Sequence, residues 1–364
     1  MRGRKYPPVL GETMPELPEV EYTARQLRAS VVGATISEAQ VFWERTIGYP
    51  DLPDFLAEVA GRRIIDVRRR GKFLVLDLSG GLFLSIHRRM TGNLLLLPPG
   101  WGIDTSLREK DPVTWNLKGP TFRASEQSIG GEDKNKLPGK GIMVGDSLPA
   151  NQPVNLAETA YCRVCFNLAD GRLLLYTDPR KFGRIELWSS EREENAGVTP
   201  GSIHGIHEQG RKYPLQKLGL EPLSDEFTVE RLSDVLSGRK GAIKQVLLSQ
   251  EVVAGLGNIY ADEALYYASI HPLRRANSLT TTEIQKLHAG IVAVLTRGIE
   301  HGGTSFSGYR DLQGEAGNNY DHLQVYHRHG TVKICARCGT PIERMVIAQR
   351  SAHFCPTCQK LTSE

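Results

Sequence analysis

The chain has 364 residues, a formal net charge of +4 and 40% hydrophobic residues. Near-balanced charge with ordinary apolar content excludes global disorder, and six cysteines in this length exclude a disulfide miniprotein. No run approaches the ~18 apolar residues that a membrane span needs, and the basic opening leads into no apolar stretch. A soluble cytoplasmic protein of two or three domains is therefore expected, with no targeting signal and no membrane partner.

Residues 1–13 read as a loose lead. A helix follows Pro18, with Val20, Ala24, Leu27 and Val31 recurring on one apolar face, and a first-turn proline is tolerated there. Between Gly61 and about Leu97 the pattern changes to short apolar runs at 64–67, 73–78 and 82–86, with a Ser79-Gly80-Gly81 turn before the last. These predict antiparallel strands joined by hairpins. Residues 98–156 are rich in Gly, Pro, Lys, Asp and Asn and read as a long, mobile surface insertion. Strands resume at 161–168 and 172–176, and a polar stretch over 189–213 leads to the next domain. Cys162 and Cys165 fall three apart in the first of these runs, which predicts opposite faces of a strand and no joint chemistry.

From Thr228 the period becomes helical. Helices are predicted near 229–237, 242–249 and 259–268, the last two separated by Gly255-Leu256-Gly257-Asn258. Thr280-x-x-Glu283 is a capping box opening a further helix, with Ile284, Leu287, Ile291, Val294 and Leu295 on one face. A polar, Gly-rich loop over 302–320 follows. The plan is a β-rich N-terminal domain, a helical middle and a small terminal module.

That module carries Cys335-x-x-Cys338 and Cys355-x-x-Cys358, with 16 residues between the pairs. Zinc takes four tetrahedral ligands, and each tight knuckle supplies two thiolates, so one closed, structural Zn2+ is expected. Between the knuckles two short strands are predicted at 343–347 and 351–354, with Ala348-Gln349-Arg350 at their turn. An arginine there suits a phosphate contact.

Met14-Pro15-Glu16-Leu17-Pro18-Glu19-Val20-Glu21 is the most informative stretch. A proline at a true N-terminus carries a secondary amine, a nucleophile that can form an iminium with a sugar carbon. Glu16 and Glu19 are placed to supply acid and base beside it.

Together with the zinc signature, which extends through Thr340, Ile342, Arg350-Ser351-Ala352 and Phe354 to Gln359, this motif resembles the formamidopyrimidine-DNA glycosylases of the Fpg/Nei family. The resemblance runs from Met14 to Lys360 apart from the insertions. It implies an α+β multidomain fold: a β-sandwich domain with an N-terminal helix, a helix–two-turns–helix domain and a C-terminal zinc-finger β-hairpin. The corresponding boundaries are 1–14 for an extension, 15–213 for the catalytic domain with its insertion at about 98–156, 214–325 and 326–364. It implies damaged double-stranded DNA as the partner, bound by a monomer at the nucleoid.

Residue by residue, the resemblance makes Pro15 the nucleophile that attacks C1′ and expels the base. Glu16 becomes the proton donor and acceptor, Glu19 a supporting carboxylate, and Lys72 in Arg70-Gly71-Lys72-Phe73-Leu74 a catalytic contact at a hairpin tip. In His87-Arg88-Arg89-Met90-Thr91-Gly92, His87 is implied to touch a phosphate and Met90 to fill the gap left by the displaced base. In Asp178-Pro179-Arg180-Lys181-Phe182-Gly183, Phe182 is a wedge and Arg180 a partner for the orphaned base. A base must leave the stack before it can be attacked, and apolar wedges offset the lost stacking. Lys244, Asn258 and Arg350 match phosphate contacts, His271 a structural position and Tyr320 the neighbourhood of a lesion-covering loop.

The implied activity is a bifunctional glycosylase and abasic-site lyase that removes 8-oxoguanine and formamidopyrimidines in base-excision repair, through a Schiff base and β,δ-elimination. The alternatives are the oxidised-pyrimidine (Nei-like) branch, or a non-catalytic zinc-containing damaged-DNA-binding protein if Pro15 is never exposed. As printed, residues precede Pro15 and its nitrogen is an amide. Translation from Met14 followed by methionine removal, or cleavage of the extension, frees the amine.

Overall fold

The computed structural model describes residues 14–104, 116–118, 161–189, 213–306, 308–328 and 334–361. The lead over 1–13 lies outside them, as do 105–115 and 119–156 of the expected insertion. Within that insertion, β7 (Gly102–Asp104) and β8 (Asn116–Lys118) pair antiparallel, so the stretch is not loop throughout.

Helix α1 (Leu17–Val31) opens the described chain. After it come β1 (Ile36–Val41), β2 (Ile47–Tyr49), α2 (Leu52–Val59), β3 (Ile64–Arg70), β4 (Phe73–Leu78), β5 (Leu82–His87) and β6 (Asn93–Leu97), then β9 (Cys162–Leu168), β10 (Leu173–Thr177) and β11 (Arg184–Ser189). They form two sheets, ordered β1-β9-β10-β6 and β2-β11-β5-β4-β3. Alternating apolar residues from both inner faces meet in one core, with Leu74, Leu76, Leu84 and Ile86 facing Leu94, Val164, Phe166 and Leu174.

One register detail overturns a sequence expectation. Between β9 and β10 the pairing runs Val164↔Tyr176 and then Cys162↔Thr177, skipping Arg163. That bulge turns Cys162 onto the face of Cys165, and both pack with Leu95, Leu97, Leu173 and Leu175. Burial raises both thiols, Cys165 to about 12, so they behave as apolar filler.

The helical part comprises α3 (Val229–Ser237), α4 (Ile243–Leu248), α5 (Asn258–Ala268) and α6 (Thr281–Glu300) around a second core. The expected capping box is present: Glu283 N donates to Thr280 Oγ1 (3.3 Å) and Thr280 N to Glu283 Oε2 (2.8 Å). In the terminal module β12 (Glu343–Ile347) and β13 (Arg350–Phe354) form a hairpin. Its turn is Ala348-Gln349, both at positive φ (46° and 63°), and Arg350 opens β13 rather than sitting in the turn. No helix among the described residues is long and apolar enough to cross a membrane.

Helix α1 joins the two cores. Val20, Ala24, Leu27 and Val31 enter the sandwich core, whereas Leu17 is fully buried in the helical core. Burial of a leucine side chain contributes about 1.5–3 kcal/mol, which pins the start of α1 between the domains. The residues just before it, Pro15 and Glu16, are buried at that junction.

Candidate active site and nucleic-acid interface

Glu16 is 2% exposed and faces the N-terminus of α5. Its Oε1 accepts from Ile259 N (2.9 Å) and its Oε2 from Tyr260 N (3.4 Å). Helix N-terminal amides favour a carboxylate. Burial outweighs them and the nearby Lys72 cation, with Glu19 adding repulsion, so the carboxyl is raised to about 7. Such a group can both give and take a proton near neutrality.

The close approach requires Gly257. A Cβ there would lie 2.3 Å from Glu16 Cδ, so any side chain would displace the carboxyl.

Glu19 is held by more bonds than Glu16. Its Oε2 accepts from Glu16 N (2.8 Å), and its Oε1 accepts from Thr304 N (2.7 Å) and the Tyr260 hydroxyl (2.8 Å). Asn319 Nδ2 ties Thr304 Oγ1 (2.8 Å) to the same cluster. Burial still raises this carboxyl above its ordinary value. Glu19 thereby fixes the backbone of Glu16, and Tyr260, Thr304 and Asn319 fix Glu19.

Lys72 sits in the two-residue turn between Arg70 and Phe73, where Gly71 takes φ 55°. The tip is anchored by Glu221, which pairs with Arg69 (2.7 Å) and Arg70 (3.0 Å) and accepts from Gly71 N (3.0 Å). Lys72 is 7% exposed. Burial lowers its ammonium, while Glu16 and Glu19 partly restore it and Arg350 opposes them. Pro15, Glu16, Glu19 and Lys72 are thus brought together, with Arg350 of the hairpin close enough to be felt.

His87 ends β5. Burial, with Arg89 and Lys72 adding repulsion, drives its imidazole down to about 3, so it is neutral at physiological pH. Its Nδ1 accepts from Arg89 N (3.1 Å), leaving Nε2–H as the donor. Phe73 packs edge-on against the ring at 4.5 Å.

Two turns lie beyond this group. Met90 is half-buried, Arg180 is exposed, and Phe182 is 49% exposed despite its size. The Arg180 guanidinium lies over the Phe182 ring at 4.8 Å. Buried Asp178 links the turns: Thr91 Oγ1 and Arg180 N donate to its Oδ1, and Gly183 N donates to its Oδ2 (2.8 Å). Asp178 stands in the quoted motif, yet only the fold shows that it ties the Met90 turn to the Phe182 turn. Tyr260, Thr304, Asn319 and Glu221 were likewise missed, because their partners lie far away in sequence.

Asn258 begins α5, with Nδ2 donating to the Tyr326 hydroxyl (3.3 Å) and Ser351 Oγ (3.2 Å). Arg350 is exposed. Lys244 is a correction. It is fully buried, with Nζ paired to Asp262 Oδ1 (2.5 Å) and donating to Ser351 O. Asp262 Oδ2 in turn accepts from His353 N (2.9 Å). Lys244 therefore staples α4 and α5 to the terminal hairpin and presents no face to a phosphate. His271 is buried edge-on against Phe354, and Tyr320 packs against Phe306 at the helical core.

The sulfurs of Cys335, Cys338, Cys355 and Cys358 all lie within 4.8 Å of one another, with 3.5 Å and 3.8 Å across two pairs. A tetrahedron with Zn–S of about 2.3 Å has edges of about 3.8 Å, so the donor set fits one structural zinc. The Tyr266 hydroxyl lies 3.2 Å from Cys335 Sγ, and Gln359 bridges Cys355 N to Ile270 O, tying the module to α5.

Three family models match in chain order. They are the formamidopyrimidine-DNA glycosylase N-terminal domain over residues 14–185, its H2TH domain over 218–309, and the zinc finger found in FPG and IleRS over 333–361. A formamidopyrimidine-DNA glycosylase of Symbiobacterium thermophilum is 39% identical over 346 residues, which cover 95% of this chain and 89% of that protein. The chain belongs to the formamidopyrimidine-DNA glycosylase family. Among solved structures, a Lactococcus lactis FPG mutant in complex with Fapy-dG-containing DNA matches with TM-score 0.68 and 29% identity. The L. lactis Fpg complex with abasic-site DNA matches with TM-score 0.68 and 28% identity. Each alignment covers 95% of this chain and 100% of the other. The family plan of sandwich, H2TH domain and zinc finger is the architecture described above.

Proposed function

We propose that this member of the family is a DNA glycosylase and abasic-site lyase that excises oxidised purines, 8-oxoguanine and formamidopyrimidines, from duplex DNA. One observation carries the reading: Glu16, raised to about 7, lies beside Pro15 with Glu19 and Lys72 converging on it. The complexes of the L. lactis relative with Fapy-dG and abasic DNA support the choice of lesion and of duplex DNA as partner.

Pro15 acts with its amine free. The family N-terminal domain match beginning at residue 14 supports that start. The amine attacks C1′ and the base departs with the glycosidic electron pair, taking up the proton that the attacking nitrogen sheds. Protonated Glu16 gives its proton to the ring oxygen as the sugar opens, leaving an iminium on Pro15. Loss of a C2′ proton to a base expels the 3′ phosphate, and a second elimination expels the 5′ phosphate. Lys72, whose ammonium the two carboxylates favour against its burial, faces the lesion's phosphate.

Met90 fills the vacated stack, Phe182 wedges the opposite strand, and Arg180 hydrogen-bonds the orphaned base. His87, as a neutral N–H donor, joins Asn258 and Arg350 at backbone phosphates. The working domains are 15–213, 214–325 and 326–364. Because one chain supplies the whole constellation, the enzyme works as a monomer, and its place is the cytoplasm at the nucleoid.

A panel of duplexes tests the reading under single-turnover conditions. Oxidised purines opposite cytosine should be excised faster than oxidised pyrimidines. A reversed preference would move the protein to the pyrimidine-lesion branch, and binding without excision would leave a damaged-DNA-binding protein.

A further inference from the structure

Arg88 lies one residue beyond β5 and two before Met90, yet none of the roles above uses it. Its side chain is 1% exposed, and its hydrogen-bond partners are all uncharged. Nε donates to Gly92 O (2.7 Å), Nη1 to Thr23 Oγ1 (3.0 Å), and Nη2 to Asn93 Oδ1 and to Arg310 O (3.2 Å). The guanidinium carbon stands 5.1 Å from the centre of the Tyr309 ring. A buried guanidinium without a hydrogen-bonded carboxylate is costly. What the described residues show in return is a cross-link of three separate pieces: α1, the Met90 turn and the described part of the stretch around 303–317 (303–306 and 308–317).

That stretch follows α6 in the chain but is fastened to the sandwich. Asn93 Nδ2 donates to Gly308 O (2.8 Å), and Arg310 N donates to Asn93 Oδ1 (3.1 Å). Leu96 N donates to Leu312 O (3.1 Å), Leu312 N donates to Gln26 Oε1 (3.0 Å), and the Leu312 side chain enters the sandwich core. Its near end lies on the supporting carboxylate: Thr304 N donates to Glu19 Oε1, and a Cβ on Gly303 would meet Glu19 Cγ at 2.8 Å. A Cβ on Gly308 would stand 3.7 Å from Met90 O. The stretch therefore passes from Glu19 to the Met90 turn. On the reading above, in which Met90 fills the vacated stack and Pro15 and Glu16 meet the sugar, a displaced base would lie against this stretch.

We propose that Arg88 is a positioning residue for base recognition. It locks the 303–317 stretch to the Met90 turn, so that the wall facing the displaced base and the side chain filling the vacated stack are set as one body. This rests on the glycosylase reading above and deepens it. An abasic site has no base to recognise, whereas 8-oxoguanine must be held while Pro15 attacks.

The test compares wild type with Arg88→Leu, both beginning at Pro15, on a duplex with 8-oxoguanine opposite cytosine and on one with a preformed abasic site. A misplacement of about 1 Å costs about 10²-fold, so excision should fall by about that factor while abasic cleavage changes less than about threefold. Equal losses on both substrates would mean a general structural role and overturn the inference, as would unchanged excision. If Arg88→Leu fails to fold, Asn93→Ser keeps the guanidinium and its direct bond to Arg310 O but removes the Asn93 links to Gly308 O and Arg310 N, and the same two outcomes decide. If wild type cut abasic DNA but not 8-oxoguanine, the lesion assignment would fail, and the comparison would be made on the base that it does excise. If wild type cut neither, the glycosylase reading itself would fall and take the inference with it.

Discussion

Replacing Gly257 by alanine is expected to disable excision while leaving the fold in place. At φ −132° the backbone accepts any L-residue, so the effect is steric. The new Cβ would lie 2.3 Å from Glu16 Cδ, 2.5 Å from Oε1 and 2.7 Å from Cγ, where ordinary contact begins at 3.4 Å. The carboxyl must therefore retreat by about 1 Å and lose its bonds to Ile259 N and Tyr260 N. A displacement of that size at a reacting group costs on the order of 10²-fold in rate. Single-turnover excision of 8-oxoguanine measures it, with zinc content and thermal unfolding confirming that the protein is otherwise intact. Excision by Gly257→Ala within about threefold of wild type, against the expected 10²-fold, would refute the assignment of Glu16 to the chemistry.

Four further outcomes are expected. The pH profile of kcat/KM should show an ionisation near 7 from Glu16, with activity falling above it as the proton donor is lost; the same inflection in Glu16→Gln would contradict this. Arg350→Ala should reduce the slope of log K against log salt by about 0.9, the signature of one lost phosphate contact, whereas neutral His87→Gln should weaken binding with the slope unchanged. Equal slopes for Arg350→Ala and wild type would remove Arg350 from the interface. Phe182→Ala should lower excision of a paired lesion more than cleavage at an abasic site, since its apolar ring offsets unstacking; equal losses would return Phe182 to ordinary packing. Cys338→Ser should lose zinc and DNA binding together, and metal analysis still showing one zinc per chain would contradict the ligand set.

Elements with strong local periodicity were readable from the residues alone. The apolar face of α1, the runs that became β4 and β5, the Thr280–Glu283 box and the paired Cys-x-x-Cys knuckles all carry their signal within a few positions. Short α2 escaped notice, since its eight residues offer barely two turns of pattern. Three features needed tertiary information. A one-residue bulge at Arg163 reversed the expectation for Cys162 and Cys165, because strand parity fails wherever the register slips. Lys244 resembled a phosphate ligand, but Asp262, eighteen positions away, and the terminal hairpin enclose it. The bonds that set Glu19 come from Tyr260 and Thr304, more than two hundred positions distant, and nothing in either local sequence announces them.

Borohydride trapping on a duplex containing 8-oxoguanine opposite cytosine, followed by peptide mapping of the adduct, addresses the proline nucleophile most directly. A covalent protein–DNA adduct on a peptide whose first residue is Pro15 is the expected result. No adduct from protein with Pro15 exposed, or an adduct mapped to Lys72, would contradict the assignment of Pro15 as the attacking group.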